Sequence, residues 1–243
     1  MMNHVVISVS GGMDSTALLL RLLEEGRTVY ALSFFYGQKH QMELERLDKN
    51  ISFLTQKGFP ITHNRVDLSS VMSLYHSALI DPNYEVPEGH YEDDNMKQTV
   101  VPNRNAIFSS LIFGYALSIA TKEQSDVDIA LGVHSGDHAI YPDCRPEFYE
   151  VLLNAFKEGN WESERVSSYL PYLYENKHTI LQDSLNRLPN LGLTMEDFNT
   201  IFANTNTCYK PDAGGRSCGK CGSCTERLEA FAELGIADPV KYI

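Results

Sequence analysis

Residues Val5 to Leu23 read VVISVSGGMDSTALLLRLL, and no other stretch constrains the fold as much. A β-branched apolar run (Val5, Val6, Ile7, Val9) stops at Ser10-Gly11-Gly12-Met13-Asp14-Ser15. Helical spacing of apolar residues begins at once, with Leu18, Leu19, Leu22 and Leu23 on one face. The pattern predicts a strand, a tight glycine turn and a helix. Such a unit suits an anion, because the N–H groups of the turn and first helical turn lack partners and the helix dipole favours negative charge there. Gly11 and Gly12 remove the side chains that would keep a phosphate from that backbone. Asp14 and Ser15 are placed to cap the helix or to hold a metal and a phosphate oxygen. An ordinary glycine turn in an α/β protein is the plain alternative.

Two familiar phosphate loops are excluded. There is no GxxxxGK[ST], so no Walker lysine, and no GxGxxG. The stretch resembles the SGGxDS loop of the PP-loop ATP pyrophosphatases, which cradle the pyrophosphate of ATP and transfer AMP to an acceptor oxygen. The resemblance implies a cofactor-binding run of Val9, Ser10, Gly11, Gly12, Met13, Asp14, Ser15, Thr16, Ala17, Leu18 and Leu19.

The 243 residues suffice for one substantial core, and 20 Lys plus Arg against 32 Asp plus Glu give a charge of -12. That excess argues against a nonspecific nucleic-acid binder. The start, Met-Met-Asn-His, lacks a secretory pattern, and the longest nearly apolar run, 106 to 120, is short for a membrane span. A cytoplasmic location and no membrane partner are the expectation. Further strands are expected at Thr28–Tyr36, Pro60–Val66 and Val127–Val133, with an edge strand in Arg165–Tyr174. Helices carry Leu44, Leu47, Ile51 and Leu54; run from Val101–Asn105 to near Lys122; carry Val151, Leu152, Ala155 and Phe156; and cover Lys177–Leu188 and Met195–Ala203, the last capped by Thr194. This alternation predicts an α/β fold with a doubly wound, mostly parallel sheet and its ligand at the carboxyl ends of the strands. Asp81 to Gln98 loses all periodicity and reads as a lid. The expected division is 1–203 for the α/β domain and 204–243 for a helical, metal-binding segment packed on it.

Cys208, Cys218, Cys221 and Cys224 form C-x9-C-x2-C-x2-C. Two-residue gaps let thiolates converge on one ion, and four of them suit structural zinc, with an iron–sulfur cluster as the rival. Cys144 stands apart, packed or catalytic.

The combination YGQKH, VPNRN, YPDCR and TNTCY…CGKCGSC resembles the QueC family of 7-cyano-7-deazaguanine synthases over nearly the whole chain. The resemblance implies a ligase that takes 7-carboxy-7-deazaguanine, ammonia and ATP, adenylates the carboxylate, forms the amide and dehydrates it to the nitrile, preQ0, of the queuosine pathway. It also implies Mg2+ and Zn2+ as cofactors and a homodimer. Catalytic roles fall on Asp14, Ser15, Lys39, Arg104 and Lys177, with the three cations suited to phosphates or the substrate carboxylate. Substrate contacts fall on Tyr36, Gln38, His40, Asn105, Asp137, Tyr141 and Asp143. Either aspartate would accept from the deazaguanine N–H edge. His40 is a proton shuttle or a structural histidine.

Two departures stand out. Asn103 replaces the usual glycine of VPGRN, and Asn is able to adopt the left-handed conformation. Ile140 stands where the family has glycine, so the acceptor wall differs. Three alternatives follow: a relative that joins the activated acid to another amine in a protein or DNA-modification or defence pathway, a tRNA-modifying PP-loop enzyme, and a module that senses ATP without turnover.

Overall fold

A computed structural model describes residues 4–38, 42–81, 83–88, 94–134, 136 and 141–243. The elements run β1 (His4–Ser8), α1 (Met13–Glu24), β2 (Thr28–Phe35), α2 (Met42–Gln56), β3 (Ile61–Asp67), α3 (Ser69–Met72) and α4 (Arg104–Glu123). They continue β4 (Val127–Ala130), α5 (Pro146–Glu158), β5 (Val166–Tyr169), α6 (Lys177–Leu191), α7 (Met195–Ala203) and α8 (Gly222–Glu233). The strands form one sheet in the order β3-β2-β1-β4-β5, and every pairing is parallel. The doubly wound expectation is met.

The sheet is covered on both faces because β1 is apolar on both. Val5 and Ile7 face α1, α6 and α7 through Leu18, Leu19, Leu22, Ile180, Leu181, Phe198 and Phe202. Val6, one residue out of phase, packs with Ile112, Phe113 and Ala116 of α4 and with Val127 and Ile129 of β4. A period of two thus sends successive β1 side chains into two separate cores. β1 lies between β2 and β4, and the chain leaves it in opposite directions. The carboxyl ends of β1 and β4 therefore flank the topological switch point, where such sheets bind ligands.

Several boundaries differ from the sequence reading. β4 stops at Ala130 rather than Val133. Its pairing with β1 ends at Ile7↔Ala130, and Gly132 then passes under the start of α1, where a Cβ would sit 3.2 Å from the Ser15 nitrogen. The edge strand β5 covers only Val166–Tyr169 and ends before Pro171. Helix α6 runs on to Leu191 through Pro189 and closes at Gly192, whose φ is +64. Thr194 caps α7 as expected, accepting from the Asp197 N–H while the Asp197 carboxylate accepts from Thr194. Asn103 takes the left-handed conformation, φ +59, at the head of α4. Within Asp81–Gln98 the described part is not patternless: Val86 is buried with Met72, Leu79 and Val101, and Asp94–Thr99 is a 3-10 turn. Among the described residues no helix is long and apolar enough to cross a membrane.

The segment after α7 is knit together, and joined to the last turn of α7, by Arg227, only 1% exposed. Its guanidinium donates to Asp238 (2.7 and 2.8 Å), to the hydroxyls of Thr205 and Thr207 (2.6 and 3.1 Å) and to the carbonyl of Phe202 (3.1 Å). Ala230 and Phe231 of α8 complete the core beside α6 and α7.

Candidate active site

At the switch point β1 gives way to a turn with Gly11 at φ +90, a conformation glycine reaches without strain. A Cβ there would also meet the Glu43 carbonyl at 2.6 Å. The serines tie the turn together: Ser15 Oγ accepts the Ser10 N–H (3.2 Å), and Ser10 Oγ accepts the Gly12 N–H (3.1 Å). The carbonyl of Gly11 accepts the Asn206 N–H at 2.9 Å, so the C-terminal segment braces the turn from outside. Met13, Asp14 and Ser15 begin α1, where N–H groups have no intrahelical acceptor.

Asp14 Oδ2 meets the Lys177 ammonium at 3.2 Å. Lys177 is 7% exposed and opens α6, whose capping box of Asn176 and Thr179 fixes its position. The same ammonium lies 3.2 Å from His134 Nε2 and 3.4 Å from Glu226 Oε2. Four elements thus deliver one charged cluster: the glycine turn, the exit of β4, the head of α6 and α8. Burial raises the Asp14 pKa, but the charges of Lys177 and His134 outweigh it and hold the carboxyl below its ordinary value. Asp14 Oδ1 is buried and makes no hydrogen bond.

A cavity opens beside the turn, bounded by Ser10, Gly12, Asp14, Ser15 and Lys177 at one end and by aromatic walls at the other. Phe34 and Phe108 stack at 4.2 Å, and Tyr36 tilts against Phe108. Tyr141 bonds Thr99 (2.6 Å) and lies 3.3 Å from the Tyr209 hydroxyl. Between the two ends sits Arg104, with Tyr36 6.0 Å from its guanidinium carbon. Burial opposes its charge, yet Tyr36, Tyr141, Cys144 and Tyr209 around it hold its pKa above the ordinary value. Glu43, from the first turn of α2, lines the same cavity; burial pushes its carboxyl up to about 8 against the pull of Ser10 and Arg104.

Downstream, the sulfurs of Cys208, Cys218, Cys221 and Cys224 lie within 4.8 Å of one another and could hold a metal ion. Backbone N–H groups already point at them: Lys210 and Cys218 donate to Cys208 Sγ (3.3 and 3.2 Å), and Lys220 and Cys221 to Cys218 Sγ (both 3.4 Å). Cys221 caps α8, and Cys208 itself lines the cavity.

Residues 4–235 match the family described as "Queuosine biosynthesis protein QueC". The chain belongs to the QueC family. A 7-cyano-7-deazaguanine synthase of a Marinomonas species is 43% identical over 242 residues, spanning 100% of this chain and 99% of its own length. That of Hahella chejuensis is 45% identical, over 99% of this chain and 93% of its own. That of Caldicellulosiruptor bescii is 42% identical, over 98% of this chain and 97% of its own.

Of the QueC-motif residues named from sequence, Asp14, Ser15, Tyr36, Gln38, Arg104, Asn105, Tyr141 and Lys177 line this one cavity, as do Val9, Ser10 and Gly12. Gly11 does not, nor do Met13, Thr16, Ala17, Leu18 and Leu19, whose side chains are buried. Gln38 is occupied in its own turn, accepting the Tyr36 N–H and donating to the Phe34 carbonyl. Asp143 is not among the lining residues; its carboxylate accepts the Asn105 N–H at 3.3 Å at the head of α4. The Asn105 amide in turn contacts Cys144 Sγ at 3.3 Å. Lys39, His40, Asp137 and Ile140 lie outside the described residues. The sequence reading missed Glu43, His134, Tyr209 and Glu226. Of these, Tyr209 stands within a quoted motif, Glu226 two residues after CGKCGSC and Glu43 three residues after YGQKH.

Proposed function

We propose that this chain is a 7-cyano-7-deazaguanine synthase, joining 7-carboxy-7-deazaguanine to ammonia at the expense of ATP and dehydrating the amide to the nitrile. One observation carries the reading: a single cavity unites an anion-binding glycine turn, a buried guanidinium and flat aromatic walls. The full-length relatives named for this activity support it.

A carboxylate is a poor electrophile because its leaving group is oxide; adenylation replaces oxide with AMP. The N–H groups of Met13 to Ser15 hold the phosphates, and Lys177 offsets their charge. Arg104, between turn and aromatic walls, suits the substrate carboxylate, bringing its oxygen to the α-phosphate. Phe34, Phe108 and Tyr36 form the wall for the deazaguanine plane, and Tyr141 and Tyr209 offer hydroxyls to its polar edge. Lys39, His40, Asn105 and Asp137 keep the family roles; Asp143 acts through α4.

Two cofactors fit the donors present. Asp14 Oδ1, buried and without a hydrogen bond, is a hard oxygen of the kind magnesium prefers. Magnesium held there would neutralise charge developing on the phosphates. Zinc–sulfur bonds of about 2.3 Å place the sulfurs of a regular tetrahedron about 3.8 Å apart. Cys218 Sγ and Cys224 Sγ are 4.0 Å apart. Four thiolates leave no open position, so zinc held there would shape the wall of the cavity.

The test is mass spectrometry of the products from the purified protein with Mg-ATP, 7-carboxy-7-deazaguanine and nitrogen-15 ammonium. The labelled amide is expected first and the labelled nitrile, lighter by one water, second. Adenylated acid that ammonium fails to capture would redirect the reading to another amine.

A further inference from the structure

We infer that Glu43 is the catalytic base of the amination and dehydration steps, receiving ammonium at the mouth of the glycine turn and accepting protons from nitrogen. The inference rests on the synthase reading above and adds a role for a side chain that the nucleotide chemistry leaves unused.

Glu43 looks, by its neighbours in sequence, like a surface acid in the run Met42-Glu43-Leu44-Glu45-Arg46. Leu44, Leu47, Ile51 and Leu54 turn the apolar face of α2 into the core, and that rotation carries Glu43 onto the turn. Its Oε1 would stand 3.7 Å from a Cβ built on Gly12, and its Cγ 3.2 Å from one built on Gly11. The carboxylate therefore lies directly over the glycine pair while lining the cavity that holds Arg104. Ser10 Oγ shares its place over Gly12, 3.2 Å from the same built Cβ; Arg104 faces it from α4 and Tyr36 from the end of β2. Among the described residues no lysine or arginine comes within ion-pair distance of it. A carboxylate placed against a phosphate loop works against anion binding when charged. Its use lies in the other reactant, a cation.

Proton accounting gives that use. Ammonium must lose one proton before its nitrogen attacks the acyl carbon. As the C–N bond forms and the C–O bond to AMP breaks, AMP leaves with the electron pair and the nitrogen sheds a second proton. In the second round the amide oxygen attacks the α-phosphate and pyrophosphate departs. The C–O bond then breaks, AMP carries away the oxygen, and the nitrogen gives up its remaining two protons as the nitrile forms. Every proton leaves from nitrogen, one at a time, and half-buried Glu43 can take each and return it to solvent. Burial that raises its pKa brings the base close to the pH at which it must act.

The experiment separates activation from amination. ATP–pyrophosphate exchange driven by 7-carboxy-7-deazaguanine reports adenylation alone; amide formation is measured with ammonium and, separately, hydroxamate formation with hydroxylamine, which is largely neutral at pH 7. Glu43→Gln should lower the ammonium-dependent rate by about 10²- to 10⁴-fold, the usual worth of a general base, with exchange changed far less and hydroxylamine capture lowered less than the ammonium rate, since hydroxylamine gives up one proton where ammonium gives up two. Glu43→Asp should recover part of the ammonium rate. Exchange falling as far as amination would assign Glu43 to nucleotide binding and overturn the inference, as would an unchanged ammonium rate or an equal loss with hydroxylamine. Exchange also shows that the variant is folded. A parent protein without exchange would sink the synthase reading itself.

Discussion

Arg227 offers the sharpest test of how the metal-bearing segment is joined to the cavity. Arg227→Met removes a buried guanidinium and keeps most of its volume. The Asp238 carboxylate, whose side chain is only 4% exposed, would keep donors from Tyr242 (2.6 Å) and the Val240 N–H (3.1 Å) and lose both bonds to Arg227. The Phe202 carbonyl loses a donor as well. Stranding a buried charge costs about 3–5 kcal/mol. For a chain of this size each kcal/mol lowers Tm by roughly 2–4 °C, so calorimetry should find a drop of roughly 6–20 °C. Arg227→Met combined with Asp238→Asn should regain much of this, because the uncompensated charge is gone while the asparagine still accepts from Tyr242. A loss in the single variant below about 1 kcal/mol, the level of an exposed pair, would refute the reasoning. So would a double variant no more stable than the single one. Thr207, bonded to Arg227, lines the cavity, and the single variant should also bind the deazaguanine acid more weakly.

Further outcomes are expected. Asp14→Ala should abolish ATP–pyrophosphate exchange while the protein stays folded, since Lys177 keeps Glu226 as a counter-ion at 3.4 Å and the α1 core residues stay in place; exchange at the parent rate contradicts the site. Elemental analysis should find one zinc per chain, lost in Cys221→Ser together with several degrees of Tm; a metal-free parent of equal stability contradicts the four-thiolate centre. Glu43 sets a pH dependence of stability. With its folded pKa raised to about 8 from 4.5, the protonated form is preferred in the fold, so its contribution is full below pH 4.5 and is lost as pH rises through about 8. Glu43→Gln should therefore gain Tm over the parent at pH 8.5 and gain nothing at pH 4.5, and equal curves at both would show that the carboxyl is not perturbed.

What the sequence disclosed was local. The glycine turn, the strand before it and the helix after it are encoded within residues 5 to 23, and Thr194 announces α7 through its own side chain. Asn103 was legible for the same reason, a left-handed turn needing a residue that tolerates it. What was missed depends on packing between distant elements. Glu43 reads as a surface charge until Leu44 and Leu47 fix the rotation of α2. A helical segment was expected after residue 203, but not the bounds of α8, because a buried face position holds Arg227 rather than an apolar residue. Val127–Val133 looks like one strand, and only the close approach of Gly132 to Asp14 and Ser15 explains its early end. Asp143 was named through the YPDCR motif, and its hydrogen bond to the head of α4 is a contact that no motif discloses.

The central claim is that one cavity activates oxygen twice, first on the acid and then on its own amide product. The direct measurement is the ratio of AMP to nitrile at completion, with ATP labelled in the α-phosphate and the nitrile counted by mass spectrometry. Two AMP per nitrile, with pyrophosphate and no ADP, is the predicted result. One AMP per nitrile would contradict the second activation, and ADP with phosphate would contradict the use assigned to the glycine turn.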